Sequence, residues 1–492
     1  MKSGNVLGLS GGTTKQECSG IRVPYRAIFA ASLAFLAGGC GSNSGSKGGP
    51  GQTSNPAQVY LAAGVGSSAS GVEALSTFTL DSTAGTFVIT SFAPSGVTIS
   101  TVAGSTVSSG ATILESGKTS TLSNGVVRLD ATYFPGAVRS SASPSSQTRS
   151  SAVEIPNQAA LAEVEASNSY GTFTTFTPLV PTQFCPSLQS PQSFQFVTIP
   201  RNSSNNGWNP NTDTAYGSVS VSTSGSAVKF SNITQYTLPA TNGGTPGTPT
   251  NPASGSAATT CSATLFGETM SIPNADTVQD PGGTSQSSSP SATVGISPSG
   301  FLLEDSGSGQ GGSSYDNVLG AGYGAIGLQQ PSSALNTSTV VAAHYQGILY
   351  GAHDGSIGSI GGPGFRLIGS FGDPTQTAAN CPHDLTTSVP NGASVIYGGE
   401  FANNDPSSNA YGNCDLAIDL GTQNATTNGL YDKATIYVSA SFLPYNSSMQ
   451  PYHFAAVAIA GQIAGKYAIF LIGLDTAGNP QQPWGIYLLQ SN

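Results

Sequence analysis

Charge is what this sequence has least of. Only 8% of its 492 residues are Asp, Glu, Lys or Arg, and the 14 basic residues are outnumbered by 24 acids. A polyanionic partner needs clustered Lys and Arg, so nucleic acid is excluded as a ligand. Trp occurs twice, Met three times and His four times, which leaves few of the side chains that most often carry acid–base chemistry. No stretch keeps a helical hydrophobic period over more than about ten residues. No Cys-x-x-Cys pair is present to build a thiolate metal site. Beyond the first 39 residues no G-x-S-x-G occurs, which removes the usual nucleophile elbow. Gly is abundant instead, at 63 residues, yet the hydrophobic content is 37% with 20 Phe and 18 Tyr. That much apolar matter excludes wholesale disorder.

The first 40 residues carry the three parts of an export signal. A basic region (Lys2, Lys15, Arg22, Arg26) precedes an apolar stretch from Ala27 to Ala37, and the small Gly38 and Gly39 lead to Cys40. The apolar stretch is too short to span a bilayer as a stable helix. Leu36-Ala37-Gly38-Gly39-Cys40 resembles the lipobox of bacterial lipoproteins, with Leu one position further from the Cys than in the family's pattern. The resemblance implies that residues 1–39 are removed, that Cys40 becomes the lipidated first residue, and that Gly41 after it sorts the chain to the outer membrane. Acyl chains contribute about 0.8 kcal/mol per buried CH₂, enough for permanent anchoring. Removing residues 1–39 takes four of the 14 basic residues and one of the 24 acids, leaving a net charge of −13.

Besides Cys40 and the signal-borne Cys18, the cysteines are Cys185, Cys261, Cys381 and Cys414. An even number in an exported chain reads as two disulfides with three possible connectivities. Nearest-neighbour pairing, Cys185 with Cys261 and Cys381 with Cys414, is the expectation.

Residues 40–56 read as a flexible tether. From Ala57 onward short segments rich in Val, Ile, Thr, Phe and Tyr alternate with Gly, Asn, Asp, Ser and Pro, the pattern of antiparallel hairpins. Leu75–Leu80 with Thr86–Phe92, Gly217–Ser222 with Ala227–Ile233, and Tyr467–Asp475 with Trp484–Leu489 are examples. The best helical candidate, Gln158–Ala166, reads equally as a strand. Ala434–Leu489 looks like a meander closing a barrel or sandwich. The expectation is an all-β chain of antiparallel β-sandwich or β-barrel modules with long Gly/Ser/Pro-rich loops. Low-complexity stretches at Ala240–Thr260 and Asp280–Thr293 suggest a division into an N-terminal β domain at 57–279, a linker or loop at 280–293, and a C-terminal β domain at 294–492. Val59–Phe92 is similar to one blade of the lactonase-like propellers through its "TLD-x-x-x-G" hairpin. A β-propeller is therefore the alternative.

Motifs that carry chemistry are sparse. His353-Asp354 and His383-Asp384 are adjacent pairs, but neighbours on a strand face opposite ways, so neither Asp orients its own His. Gly322 to Gly327 matches G-x-G-x-x-G with no helix to follow it. Asp415 and Asp419 share a strand face, in a setting of ordinary half-buried alternation. The loop EFANNDPSSNAYGNCD gathers Glu400, Asp405 and Asp415 among several Asn, hard oxygen ligands that suit Ca²⁺. An Asn/Asp-rich turn held by a disulfide is the other reading of that loop, and no cofactor is expected otherwise. Trp208, in the polar loop NSSNNGWNPNTD, is the candidate ligand-stacking residue, while Trp484 reads as core.

Composition is similar to that of the Gly/Ser-rich exported β-proteins of bacteria, which implies location and architecture only. The expected function is a lipid-anchored envelope module, non-enzymatic, binding a glycan or another envelope component. A secreted carbohydrate- or lactone-acting hydrolase and a structural envelope component are the alternatives.

Overall fold

A computed structural model describes twenty-six strands, the connections 84–85, 330–344, 392–394, 420–429 and 464–465, and a few isolated loop positions. Strands dominate because β-branched, aromatic and Gly-punctuated segments recur with no helical period. The chain begins with β1 (Gln58–Ala62), β2 (Leu75–Asp81) and β3 (Thr86–Phe92), followed by a separate two-stranded pair, β4 (Ile99–Ser100) and β5 (Thr106–Val107). It continues with β6 (Thr112–Thr121), β7 (Val127–Tyr133), β8 (Ser150–Ile155), β9 (Ala159–Asn168) and β10 (Gly171–Pro181). Without β4 and β5 these form a closed eight-stranded antiparallel barrel, barrel 1, in which β10 returns to pair with β1.

Barrel 2 consists of β11 (Gln192–Thr198), β12 (Ala215–Ser224), β13 (Ala227–Thr237), β14 (Ala257–Thr264), β15 (Gly267–Ser271), β16 (Thr293–Ile296), β17 (Phe301–Asp305) and β18 (Gly324–Gln329), closed by β11 on β18. Barrel 3 consists of β19 (Tyr345–Gly351), β20 (Arg366–Phe371), β21 (Val395–Glu400), β22 (Leu416–Asp419), β23 (Leu430–Val438), β24 (Tyr452–Ile463), β25 (Lys466–Asp475) and β26 (Gln482–Gln490), closed by β19 on β26. A short helix, α1 (Thr337–Val341), lies between barrels 2 and 3. All three barrels belong to one compact unit, Asn55–Asn492.

The three anticipated hairpins form as β2–β3, β12–β13 and β25–β26. The ambiguous Gln158–Ala166 segment is strand, because β8 and β10 pair with β9 on both sides. The blade-like opening becomes β1 to β3 of a closed barrel, which overturns the propeller alternative. The low-complexity stretch at 280–293 sits inside barrel 2, where β15 pairs directly with β16 (Met270 opposite Val294). The last residues of the other stretch, 257–260, open β14. Gly/Ser/Pro composition breaks a pattern in the same way whether it joins domains or neighbouring strands. The passages between barrels fall instead at 182–191 and 330–344, neither of them low in complexity.

Barrel 3 shows how the core is built. In β25 the alternate residues Ile469 and Leu471 face the barrel interior, while Ala468, Phe470, Ile472 and Leu474 face outward, and all are buried. The same alternation holds in β24 and β26, so these strands read as continuous apolar runs covered on both faces. Inside, Tyr345, Phe371, Tyr431, Phe454 and Trp484 fill the lumen, as an eight-stranded barrel permits. Gly398 and Gly473 take positions where a Cβ would run into the rings of Phe371 and Phe454, so large and small residues interdigitate. α1 closes one mouth: Val340 packs into the lumen, the Tyr345 hydroxyl donates to the Val340 carbonyl at 2.6 Å, and the Tyr431 hydroxyl meets Thr337 Oγ1 at 3.1 Å. The outward side chains join a second cluster that takes in Val153, Ile155 and Leu161 of barrel 1 and Val197, Phe301 and Leu328 of barrel 2. One apolar core therefore binds all three barrels.

Candidate functional site

Most residues singled out in the sequence lie outside the described set: Cys40, Cys185, Trp208, His353, Cys381, His383, Asp405, Cys414 and Asp415. Cys261 and Glu400 are described at the backbone only, Cys261 opposite Met270 in β14–β15 and Glu400 opposite Gly369 in β20–β21. Among the described residues no three of His, Cys, Asp and Glu gather into a metal-binding group. Asp419, the described member of its pair with Asp415, is engaged in a turn: its Oδ1 accepts from Ser394 Oγ at 2.6 Å and from the Gly421 amide at 2.9 Å. His344 is exposed, and its carbonyl accepts from the Ser491 amide. His453 is exposed and stacks on Tyr437, with ring centroids 5.4 Å apart. Gly324–Gly327 lies within β18, not at the strand-to-helix turn a dinucleotide site needs. Trp484 is core, at 2% exposure.

Burial governs the electrostatics of the enclosed tyrosines. Tyr216 and Tyr236 of barrel 2 stack at 5.2 Å between centroids. Burial, then the Asp432 carboxylate of barrel 3, then Tyr236 push the Tyr216 phenol well above its ordinary range. Burial, reinforced by Tyr467 and Tyr431, does the same to Tyr345. Asp432 itself accepts from Asn424 Nδ2 at 2.8 Å.

Connection lengths make barrels 1 and 2 alike. Neighbouring strands in each meander are antiparallel, so every second connection leaves from the same end of the barrel. In barrel 2, residues 199–214, 238–256, 272–292 and 306–323 join strands at one end, and 225–226, 265–266 and 297–300 at the other. In barrel 1 the long connections 63–74, 93–111 and 134–149 share an end with 169–170, and 82–85, 122–126 and 156–158 occupy the other. Barrel 3 follows less strictly. Its connections 352–365, 401–415, 439–451 and 476–481 leave one end, while 372–394, 420–429 and 464–465 leave the opposite end. Trp208 belongs to a connection of the long-connection end of barrel 2, and Asp405 and Asp415 to one at the first-named end of barrel 3. Glu400 is the last residue of β21 at that same end.

What the sequence did not reveal is the polar chain at the seam of barrels 2 and 3, through Gln195, Asn428 and Gln423. The one available signal was Gln195 within the otherwise apolar run Phe194–Val197.

No protein-family model matches the chain, and no curated protein matches it. Two solved structures similar to it are transferrin binding protein B from serogroup B Neisseria meningitidis and from Haemophilus parasuis Hp5. The first is 11% identical over 85% of this chain, with a TM-score of 0.23. The second is 9% identical over 92% of this chain and 98% of that one, with a TM-score of 0.18. This chain spans 66% of the first protein's length, just under two thirds. Both TM-scores are too low to bear on the architecture or the partner of this chain.

Proposed function

We propose that the protein is a lipid-anchored envelope binding module, non-enzymatic, that presents its ligand-binding surface on the barrel ends from which the long connections leave. The observation that carries this reading is the segregation of long and short connections to opposite ends of barrels 1 and 2. A closed barrel has no free edge to add a strand to, and the side chains of barrel 3 fill its lumen. The outer walls that meet at the shared core are spent on holding the barrels together. What remains for recognition is loop chain on a rigid scaffold, the common arrangement in binding proteins. The Gly-, Ser- and Asn-rich make-up of these connections suits hydrogen bonding to a glycan or another envelope component. The anchor at Cys40 rests on the lipobox resemblance.

The test is a thermal-shift screen of residues 57–492 against glycans, envelope polymers, lactones and Ca²⁺. A ligand that binds the folded state raises its melting point by mass action. A rise of several degrees with one glycan or polymer class, lost in Trp208→Ala, is the expected result. A flat screen removes the glycan and envelope-polymer reading, and turnover of the bound compound removes the non-enzymatic one. Separately, Cys40→Ser should abolish acyl labelling and membrane partitioning, and retention of either refutes the anchor.

A further inference from the structure

The outward wall of barrel 2 that meets barrel 3 is apolar around Val197, Phe301, Ile326 and Leu328, and one polar side chain interrupts it. Gln195 is only 2% exposed, and its Nε2 donates to the carbonyl of Asn428 in the β22–β23 connection of barrel 3. Asn428 in turn donates from Nδ2 to the Pro331 carbonyl at 3.2 Å. Pro331 stands on the passage that carries the chain from barrel 2 to barrel 3. Gln423 ties the same loop to the same passage, its Oε1 accepting from the Gly429 amide at 2.5 Å and from the Leu335 amide at 3.1 Å. The other end of Gln195 is buried with no protein donor on Oε1.

A group so placed is a poor source of stability, since one of its polar atoms is desolvated without a partner. Its value lies in direction. Hydrophobic adhesion is non-directional, so two apolar walls can pack in several registers at similar cost. A hydrogen bond holds its partners to a narrow range of distance and angle. Close backbone approaches sharpen the demand: a Cβ at Gly461 of β24 would press on Leu328 and Gln329 of β18. Gln346, 4% exposed on the outward face of β19 where β9 of barrel 1 runs alongside β19 and β20, is a second buried glutamine, but its bond stays within barrel 3, on its cross-strand neighbour. It donates to Ser370 Oγ at 3.2 Å and likewise leaves its Oε1 without a protein donor.

We propose that the Gln195–Asn428–Pro331 chain is a register lock, which holds barrel 2 in one orientation on barrel 3 while the surrounding apolar core supplies the adhesion. Buried polar groups elsewhere select one packing among several in this way. The proposal does not depend on the identity of the ligand.

The experiment measures the distance between barrels 2 and 3 by electron–electron resonance. Nitroxides are coupled to keto amino acids at the exposed positions Pro191 and Ala393, which leaves the native cysteines untouched. The native protein should give one narrow distance distribution. Gln195→Met, which keeps length and volume but removes the donor, should broaden the distribution or displace it by several ångströms, with the melting point held within a few degrees. Asn428→Ala, which frees the loop from Pro331 without touching either barrel wall, should act in the same direction and decides the matter if Gln195→Met does not fold. A narrow, unshifted distribution in the folded variants overturns the proposal, whether or not the melting point falls, because the chain would then be an ordinary structural bond.

Discussion

Truncating Phe470 to Ala tests whether the three barrels share one core or merely touch. Phe470 is fully buried on the outward face of β25. Its ring meets Phe301 of barrel 2 edge-on at 5.8 Å and 64°, and Tyr487 of its own barrel at 6.0 Å and 62°. Cross-strand, it lies opposite Ile459 and Tyr487. Deleting a fully buried Phe side chain costs about 3–5 kcal/mol through lost transfer energy and the cavity left behind. Each edge-on aromatic pair adds about 0.5–1.5 kcal/mol beyond area. With two such pairs and rigid strands on every side, the upper half of the first range applies, so the expected loss is about 4–5 kcal/mol. The assay is urea unfolding followed by the fluorescence of Trp484, which sits in the lumen of barrel 3, in parallel with calorimetry. The native protein should unfold in one transition, because removing any barrel bares the outward apolar face of the others. A double-mutant cycle with Phe301→Ala should return a coupling of about 0.5–1.5 kcal/mol. Additive single losses, a cost below about 1 kcal/mol, or separate transitions for separate barrels would refute a shared core.

Gly398→Ala should destabilise by about 1–3 kcal/mol, since its Cβ would enter the Phe371 ring, and the shift of the urea midpoint measures it. The β24–β25 turn places Ala464 and Gly465 both at positive φ, 50° and 83°, the geometry of a type I′ turn, in which Asn is favoured at the first position. Ala464→Asn should therefore raise stability by about 0.5–1 kcal/mol, and a neutral result in thermal unfolding counts against that turn type. The raised phenols of Tyr216 and Tyr345 hold protons in the folded state that the unfolded chain releases near pH 10. Their contribution to stability is complete below about pH 10 and is lost as pH rises beyond it. Tyr216→Phe and Tyr345→Phe should each flatten that alkaline decline in pH-dependent denaturation, and an unchanged slope refutes the assignment. Four cysteines beyond Cys40 in an exported chain read as two disulfides, and nearest-neighbour pairing joins Cys381 to Cys414. Non-reducing peptide mapping should recover the Cys381–Cys414 pair, and any other partner for Cys381 refutes it.

How much of this could be read in advance differs from element to element. The β2–β3 hairpin was legible because its turn is local: Asp81 Oδ1 accepts from the Ala84 amide at 2.8 Å, and Gly85 takes the positive φ of 62°. Trp484 was legible as core because it sits in a strand pattern. β9 was not, because QAALAEVEA carries helix-forming residues, and only its neighbours β8 and β10 make it a strand. The barrel boundaries were misjudged because the low-complexity segment at 280–293 lies within a barrel, while the true passages carry no compositional signal.

The sequence by itself determined that the chain is all-β, largely in local hairpins, with little charge. Those properties follow from residue type and short-range spacing, which act over a few bonds. Only the tertiary structure decided that the strands close into three barrels and that β24 to β26 are covered on both faces. It also decided that Gln195 meets Asn428 across 233 positions of chain. A continuous apolar run says that both faces of a strand are buried, but not by what, because hydrophobic adhesion carries no address. The address comes from strand register and from the few directional bonds between walls, which exist only once distant segments are brought together.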